Sequence, residues 1–290
     1  MKRVATAVAL LMVAGACKAA DPPRLAAPHF PAVTTTTSTT LPPATTTTTA
    51  PLPMDDASVT ARAITAGERD PAQALGAELG YRHVALSADP NFQGAVAAAL
   101  PADLHNALTW NVDAVRQLTS LGKPTKSTAP PAAWTIKPVA TTDELLGYYR
   151  EASAATGVPW EILAAIHFVE TKLGRVVGDS WAGAQGPMQF LPATWARYGQ
   201  GDIHSNHDAI LGAAHYLQAN GAPSRLDDAL MHYNPTPKYV AAVKDYAQRM
   251  AENPDAYRGY HEWQVLYRTV NGTLLLPEGW PAVPARSIAD

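Results

Sequence analysis

The chain has 290 residues, 47% hydrophobic and 16% charged, with 22 basic against 25 acidic side chains and a formal charge of −3. That balance gives no basic footprint for nucleic acid, and an electroneutral or mixed-charge partner suits it better. One cysteine excludes an intramolecular disulfide, so stability must come from core packing.

Met1-Lys2-Arg3 and the apolar run from Val4 to Ala16 read as a signal peptide over residues 1–16, because the run is too short to span a bilayer as a mature helix. Export follows from that reading. Cys17 stands where the run ends, after Ala14-Gly15-Ala16, and this resembles the lipobox of bacterial lipoproteins, which implies lipidation at Cys17 and a membrane anchor. The same small residues also fit ordinary signal cleavage. Residues 17–55 are rich in Thr, Pro and Ala, with runs at Thr34-Thr35-Thr36-Thr37 and Thr45-Thr46-Thr47-Thr48-Thr49, and hold almost nothing large and apolar to bury. At the polyproline rise of about 3.1 Å per residue such a linker reaches roughly 100 Å. It reads as a tether, with a glycosylated stalk or a tolerated low-complexity insert as alternatives.

Beyond the linker about 235 residues remain, enough for one large domain or two modest ones. This Ala-rich body lacks alternating β-branched runs, so a mostly α fold is expected. Residues 56–122 read as helices broken near Asp89-Pro90 and Pro101, with apolar spacing at Leu104, Leu108, Val112, Val115 and Leu118. They carry no reactive cluster and are taken as a helical accessory region. Pro124, Pro130 and Pro131 mark residues 123–140 as a connection, either a second linker or a chain crossing a surface.

The chemistry begins after Thr141. In the helical stretch from Val158 to Gly174, Leu163, Ile166, Glu170 and Leu173 share one face, so a carboxylate interrupts the apolar stripe. Burial and the negative end of the helix dipole both raise its pKa, as a general acid requires. The alternative is a glutamate that reaches solvent past the helix end or pairs with Lys172 or Arg175. Glu161 falls about half a turn out of phase and faces the other way. Asp179, in the loop that follows, is the nearest other carboxylate.

Two further segments add polar groups. Gly183-Ala184-Gln185-Gly186-Pro187-Met188-Gln189-Phe190 is a Gly-punctuated loop leading to Pro192 and Thr194. Gln189 suits hydroxyl and acetamido recognition, and Met188 and Phe190 offer apolar surface for a sugar face. The alternative is a tight turn with a core Met and Phe. Met231-His232-Tyr233-Asn234-Pro235-Thr236-Pro237-Lys238-Tyr239-Val240 is a helix junction, with Thr236 as N-cap and Pro237 at N1. Tyr233 and Asn234 are placed to bond the carboxyl or a substrate group, and Tyr239 to close the same pocket; taken alone they are ordinary cap and packing residues.

Together, Glu-Thr-x-x-Gly, Gly-x-x-Gly-x-Met-Gln-Phe-x-Pro-x-Thr and Tyr-Asn-x-x-x-x-Tyr-Val resemble the catalytic domain of bacterial lytic transglycosylases of the SLT type, with Asp208 to Gly221 as the connecting helix and the greatest similarity to the membrane-bound B type. The resemblance covers residues 141–250 most strongly and residues 251–290, a C-terminal extension, more weakly. It implies a lysozyme-like helical fold packed beside a smaller helical unit. It also implies cleavage of the β-1,4 bond between N-acetylmuramic acid and N-acetylglucosamine in peptidoglycan, with a 1,6-anhydromuramoyl product. Glu170 would be the catalytic acid and then base, and Gln189, Tyr233, Asn234 and Tyr239, with Gln185, Met188 and Phe190, would be substrate and active-site positions. The chain departs from many relatives at Thr171, where they have Ser, and at His232, where they have Ala. His204, His207 and Asp208 form no metal set at usual spacing, and Asn206, His207 or Asp208 is expected to cap the next helix. No cofactor, nucleotide or metal is implied.

Overall fold

The computed structural model describes residues 56–70, 78, 81, 89–121 and 127–288. The expected signal peptide, Cys17 and the 17–55 linker lie outside the described residues. No helix among the described residues is long and apolar enough to cross a membrane.

The fold is mostly α, as expected. Helix α1 (Ala57–Arg69) starts at Asp56, whose carboxylate accepts from the Ser58 and Val59 amides at 2.8 and 3.0 Å, satisfying two of the orphan donors of the first turn. It packs on α2 (Pro90–Ala99), and a 3₁₀ turn at Ala102–Leu104 leads into α3 (His105–Thr119). Helix α4 (Thr142–Thr156) is capped by Thr141, which accepts from the Glu144 amide at 3.2 Å, and ends on Gly157 at φ 76°. Then follow α5 (Trp160–Thr171), α6 (Pro192–Tyr198), α7 (Asn206–Ala219), α8 (Leu226–Tyr233), α9 (Pro237–Glu252) and α10 (Asp255–Glu262).

Helix α5 is central, with α9, α4 and α7 packed around it. Every residue from Ile162 to Thr171 is buried. The sequence suggested a helix with one apolar stripe; the structure gives a helix enclosed on all sides, because three partners cover it. Helix α3 lies along α9 in the most extensive helix contact. One hydrophobic core therefore runs from Ile64, Val112 and Val115 of the first helices to Leu163, Phe168 and Tyr246 around α5.

Of the expected 123–140 connection, residues 127–140 are described, and they are stitched down along the way. Strand β1 (Thr135–Ile136) pairs antiparallel with β2 (Val176–Val177), just beyond α5. The Lys137 amide donates to the Arg175 carbonyl at 3.0 Å, and the Ile136 amide to Trp280 at 3.1 Å. The C-terminal segment adds a meander that the composition did not announce: β3 (Val265–Thr269), β4 (Gly272–Leu276) and β5 (Arg286–Ile288), all antiparallel. Trp134, Ile136, Val176, Val265, Tyr267, Leu276 and Trp280 form a second small core between the two sheets.

Candidate active site

Glu170 lies in the last turn of α5 and is 1% exposed. Its Oε1 accepts a 2.7 Å hydrogen bond from the Tyr239 hydroxyl, while Oε2 is buried with no partner. Burial pushes its pKa from 4.5 up to about 8, against the smaller opposing pull of the Tyr239 hydrogen bond. The carboxyl is therefore mainly protonated at neutral pH. The alternative partners are engaged elsewhere. Arg175 bonds Glu278 at 2.5 Å and the His261 carbonyl at 2.7 Å, and the Lys172 ammonium sits 3.7 Å from the centre of the Phe168 ring.

The helix stops abruptly after this residue. Lys172, Leu173 and Gly174 follow with φ of 54°, 60° and 82°, where only the glycine is at ease. The turn is held by Thr171, whose hydroxyl donates to the Pro187 carbonyl at 2.6 Å and accepts from the Gly174 amide at 3.0 Å. The hydroxyl shared by Ser and Thr at this position thus ties the first segment to the second.

In that second segment, Gln185 and Phe190 exchange backbone hydrogen bonds of 2.8 and 2.9 Å, closing a tight loop. Gly186 sits at φ 72°, and a Cβ there would lie 1.9 Å from the Ile203 carbonyl oxygen, so no side chain fits. Gln189 also adopts a left-handed φ of 51°, a strained choice for a residue with a side chain. Its Nε2 donates to the Gly186 carbonyl at 2.9 Å, and its Oε1 is buried without a partner.

The third segment joins the other two. The Tyr233 hydroxyl donates to the Met188 carbonyl at 2.6 Å, and the Tyr233 ring stacks parallel to Tyr239 at 6.5 Å. Thr236 heads α9, as expected, but its hydroxyl serves Asn234 Oδ1 at 2.9 Å and makes no side-chain cap. Asn234 Nδ2 is buried and unpartnered. Each of the three stitched segments thus contributes at least one such atom, Glu170 Oε2, Gln189 Oε1 and Asn234 Nδ2, and the helix of Glu170 adds His167 Nε2. An unsatisfied buried polar atom costs about 1–3 kcal/mol, so each of these groups is held at a cost to stability.

Several expectations change at this level. Met188 and Phe190 are both 0% exposed. Phe190 packs against Trp195, Tyr233 and Tyr216, so the apolar surface expected of this pair is turned into the core. Tyr233, expected at the carboxyl or a substrate, bonds the loop backbone, and Tyr239, expected to close the pocket, bonds the carboxyl instead. Gln185 is half-buried and donates to the exposed Asp179 at 3.3 Å. His232 is exposed, and its carbonyl accepts from Tyr216. The cap of α7 is Ser205, one residue before the expected candidates, and His207 is engaged with Glu151 and Asp208. His167, one turn before Glu170, is a core residue: burial, with a smaller contribution from Lys137, lowers its pKa to about 3, and its Nδ1 lies 2.7 Å from the Tyr149 hydroxyl. Sequence alone gave no sign of that pair.

A buried glutamate with a raised pKa and unpartnered polar groups on neighbouring loops, in a mostly helical body, is a class of site suited to acid–base chemistry. The comparisons narrow this class. Residues 177–226 match the family described as Transglycosylase SLT domain, a stretch that contains Gln185 to Phe190 and begins seven residues after Glu170. The chain is also similar to membrane-bound lytic murein transglycosylase F of Thiobacillus denitrificans (strain ATCC 25259 / T1), at 28% identity over 127 residues. The match takes in 41% of the chain and 27% of that relative, so the chain spans about a quarter of the relative's length. No solved structure matches at the same standard of significance. The likeness to lytic transglycosylases, read first from three motifs, is thus found again in both a family and a curated relative.

Proposed function

We propose that this protein is a peptidoglycan lytic transglycosylase, exported and held at the cell envelope by a lipid on Cys17. Its glycan-cleaving domain would span residues 141–250, between a helical accessory region at 56–122 and a C-terminal extension at 251–290, whose described helices pack against it. The observation that carries the reading is Glu170: a buried carboxyl, protonated at neutral pH, with one oxygen held by Tyr239 and the other without a partner. A protonated carboxyl can give its proton to the glycosidic oxygen as the C1–O bond breaks. The acetamido oxygen of the same muramoyl residue bonds to C1, so no second carboxylate is needed. Glu161, in the first turn of α5, and the exposed Asp179 agree with that economy. The C6 hydroxyl then displaces the acetamido oxygen from C1 and returns its proton to Glu170, closing the 1,6-anhydro ring without net uptake of water.

Mass spectrometry of muropeptides released from purified peptidoglycan tests this. Products lighter by one water than those with reducing ends are expected. Reducing ends would make the protein a hydrolytic muramidase, and no release would make it a peptidoglycan-binding scaffold. The pH dependence gives a second check. The Tyr239 hydroxyl favours the ionised carboxyl, so Tyr239→Phe removes a downward pull on the Glu170 pKa. The alkaline limb of the rate, set by loss of the acid form near pH 8, is expected to move upward in the variant, and a pH–rate profile reads it directly.

A further inference from the structure

Met188 and Phe190 face the core, so the loop before α6 needs another apolar surface if it is to hold a sugar ring. It has one. Trp181 is 85% exposed, by far the most exposed large hydrophobic residue among those described; the others are Val177, Val270 and Val283. Leaving a side chain of this size in water forgoes a large burial gain, and it makes no ring contact with the other described residues.

The backbone beneath Trp181 is firmly held. The Ser180 amide donates to the Ala184 carbonyl at 2.9 Å, and the Gly183 amide to the Ser180 carbonyl at 2.9 Å. The Ser180 hydroxyl accepts from the Ala184 amide at 3.0 Å. On one side, the Trp134 indole donates to the Asp179 carbonyl at 3.4 Å; on the other, Gln185 reaches the Asp179 carboxylate at 3.3 Å. An aromatic residue on a fixed turn binds with little loss of conformational freedom. Asp179 and Gln185, alongside it, offer an acceptor and an amide, and Gly186 and Gln189 follow in the same hydrogen-bonded loop.

We propose that Trp181 is a stacking platform for a pyranose ring of the glycan strand, with Asp179 and Gln185 bonding the hydroxyl or acetamido groups of that sugar. This specificity-determining role rests on the peptidoglycan reading above. An exposed tryptophan presents a flat apolar face with a polar rim, which matches the C–H face and the equatorial hydroxyls of a β-1,4-linked N-acetylhexosamine.

The test uses the Glu170→Gln protein, so that ligand is not consumed, and a soluble β-1,4-linked N-acetylglucosamine hexamer. Calorimetry is expected to show binding about ten-fold weaker after Trp181→Ala, with Trp181→Phe keeping most of the affinity. The hexamer-induced change in tryptophan fluorescence is expected to vanish in Trp181→Phe even though that protein still binds. Because Trp181 is exposed, melting temperatures should stay the same, so misfolding cannot mimic the result. Equal affinity of Trp181→Ala and its parent for the hexamer overturns the platform, even if the parent with Glu170 intact releases anhydro products. A ten-fold loss with no anhydro release by that parent keeps the platform and removes the catalytic reading. No binding by any of the proteins overturns the platform.

Discussion

Replacing Glu170 with glutamine is expected to abolish glycan cleavage while making the protein more stable at neutral pH. The activity loss follows from removing the acid, a contribution of about 10²–10⁴-fold for proton transfer alone. The stability gain follows from linkage. Burial raises the folded-state pKa from 4.5 to about 8, so between those values the unfolded chain ionises while the folded protein keeps its proton. Stability is therefore intact below about pH 4.5 and falls as the pH rises toward 8, by on the order of 3 kcal/mol at pH 7. Glutamine carries no charge in either state and can still accept from Tyr239, so it escapes this loss. Urea unfolding at pH 4 and pH 8 should show the two proteins nearly matched at the lower pH and the variant ahead at the higher. A variant no more stable at pH 8 would mean that Glu170 is not the buried neutral acid described here.

The second large effect is expected far from the site. Arg249 of α9 meets Glu68 of α1 at 2.5 Å, with side chains only 6% and 9% exposed, and the Tyr81 hydroxyl donates to the other Glu68 oxygen at 2.5 Å. Arg249→Met removes the cation and leaves a buried carboxylate without its counter-charge, at a cost of about 3–5 kcal/mol. The double change Glu68→Met with Arg249→Met should recover much of that loss, because an apolar pair can replace a buried ion pair of similar volume. Chemical denaturation of the two single variants and the double variant completes the cycle. Equal losses in Arg249→Met and the double variant would show that the loss does not come from an unpaired Glu68 carboxylate.

The parts legible in the sequence were those whose signals are local. Glu170 stood out because a carboxylate within an apolar helical run has few structural reasons to be there, and the Gly-punctuated loop and the Tyr-Asn junction reinforced it. Local pattern does not settle which way a side chain turns. Met188 and Phe190 flank Gln189 and read equally well as surface or core; only the packing of Trp195, Tyr216 and Tyr233 around Phe190 decides. Tyr233 and Tyr239 were likewise interchangeable until α8 and α9 were set at their angle. The Glu68–Arg249 pair joins residues 181 apart, a separation at which no periodicity carries information. The β3–β4 hairpin was a different case. Asn271-Gly272, between Val265-Leu266-Tyr267 and Leu274-Leu275-Leu276, is a local turn signal that a reading based on bulk composition passed over.

The unequal surroundings of the two Glu170 oxygens have a consequence for the order of events. With Oε1 occupied by Tyr239, the mobile proton has a single seat, Oε2. In the proposed reaction, the glycosidic oxygen takes a proton from that seat and the C6 hydroxyl later gives one back to it. Two oxygens from different sugars cannot occupy one point in space. The departing strand must therefore move away from Oε2 before the C6 hydroxyl can swing in, so release of the first product becomes a step in the chemistry of the second. A long glycan gripped on the departing side would slow ring closure even with every catalytic group in place, while a short one would leave the seat free.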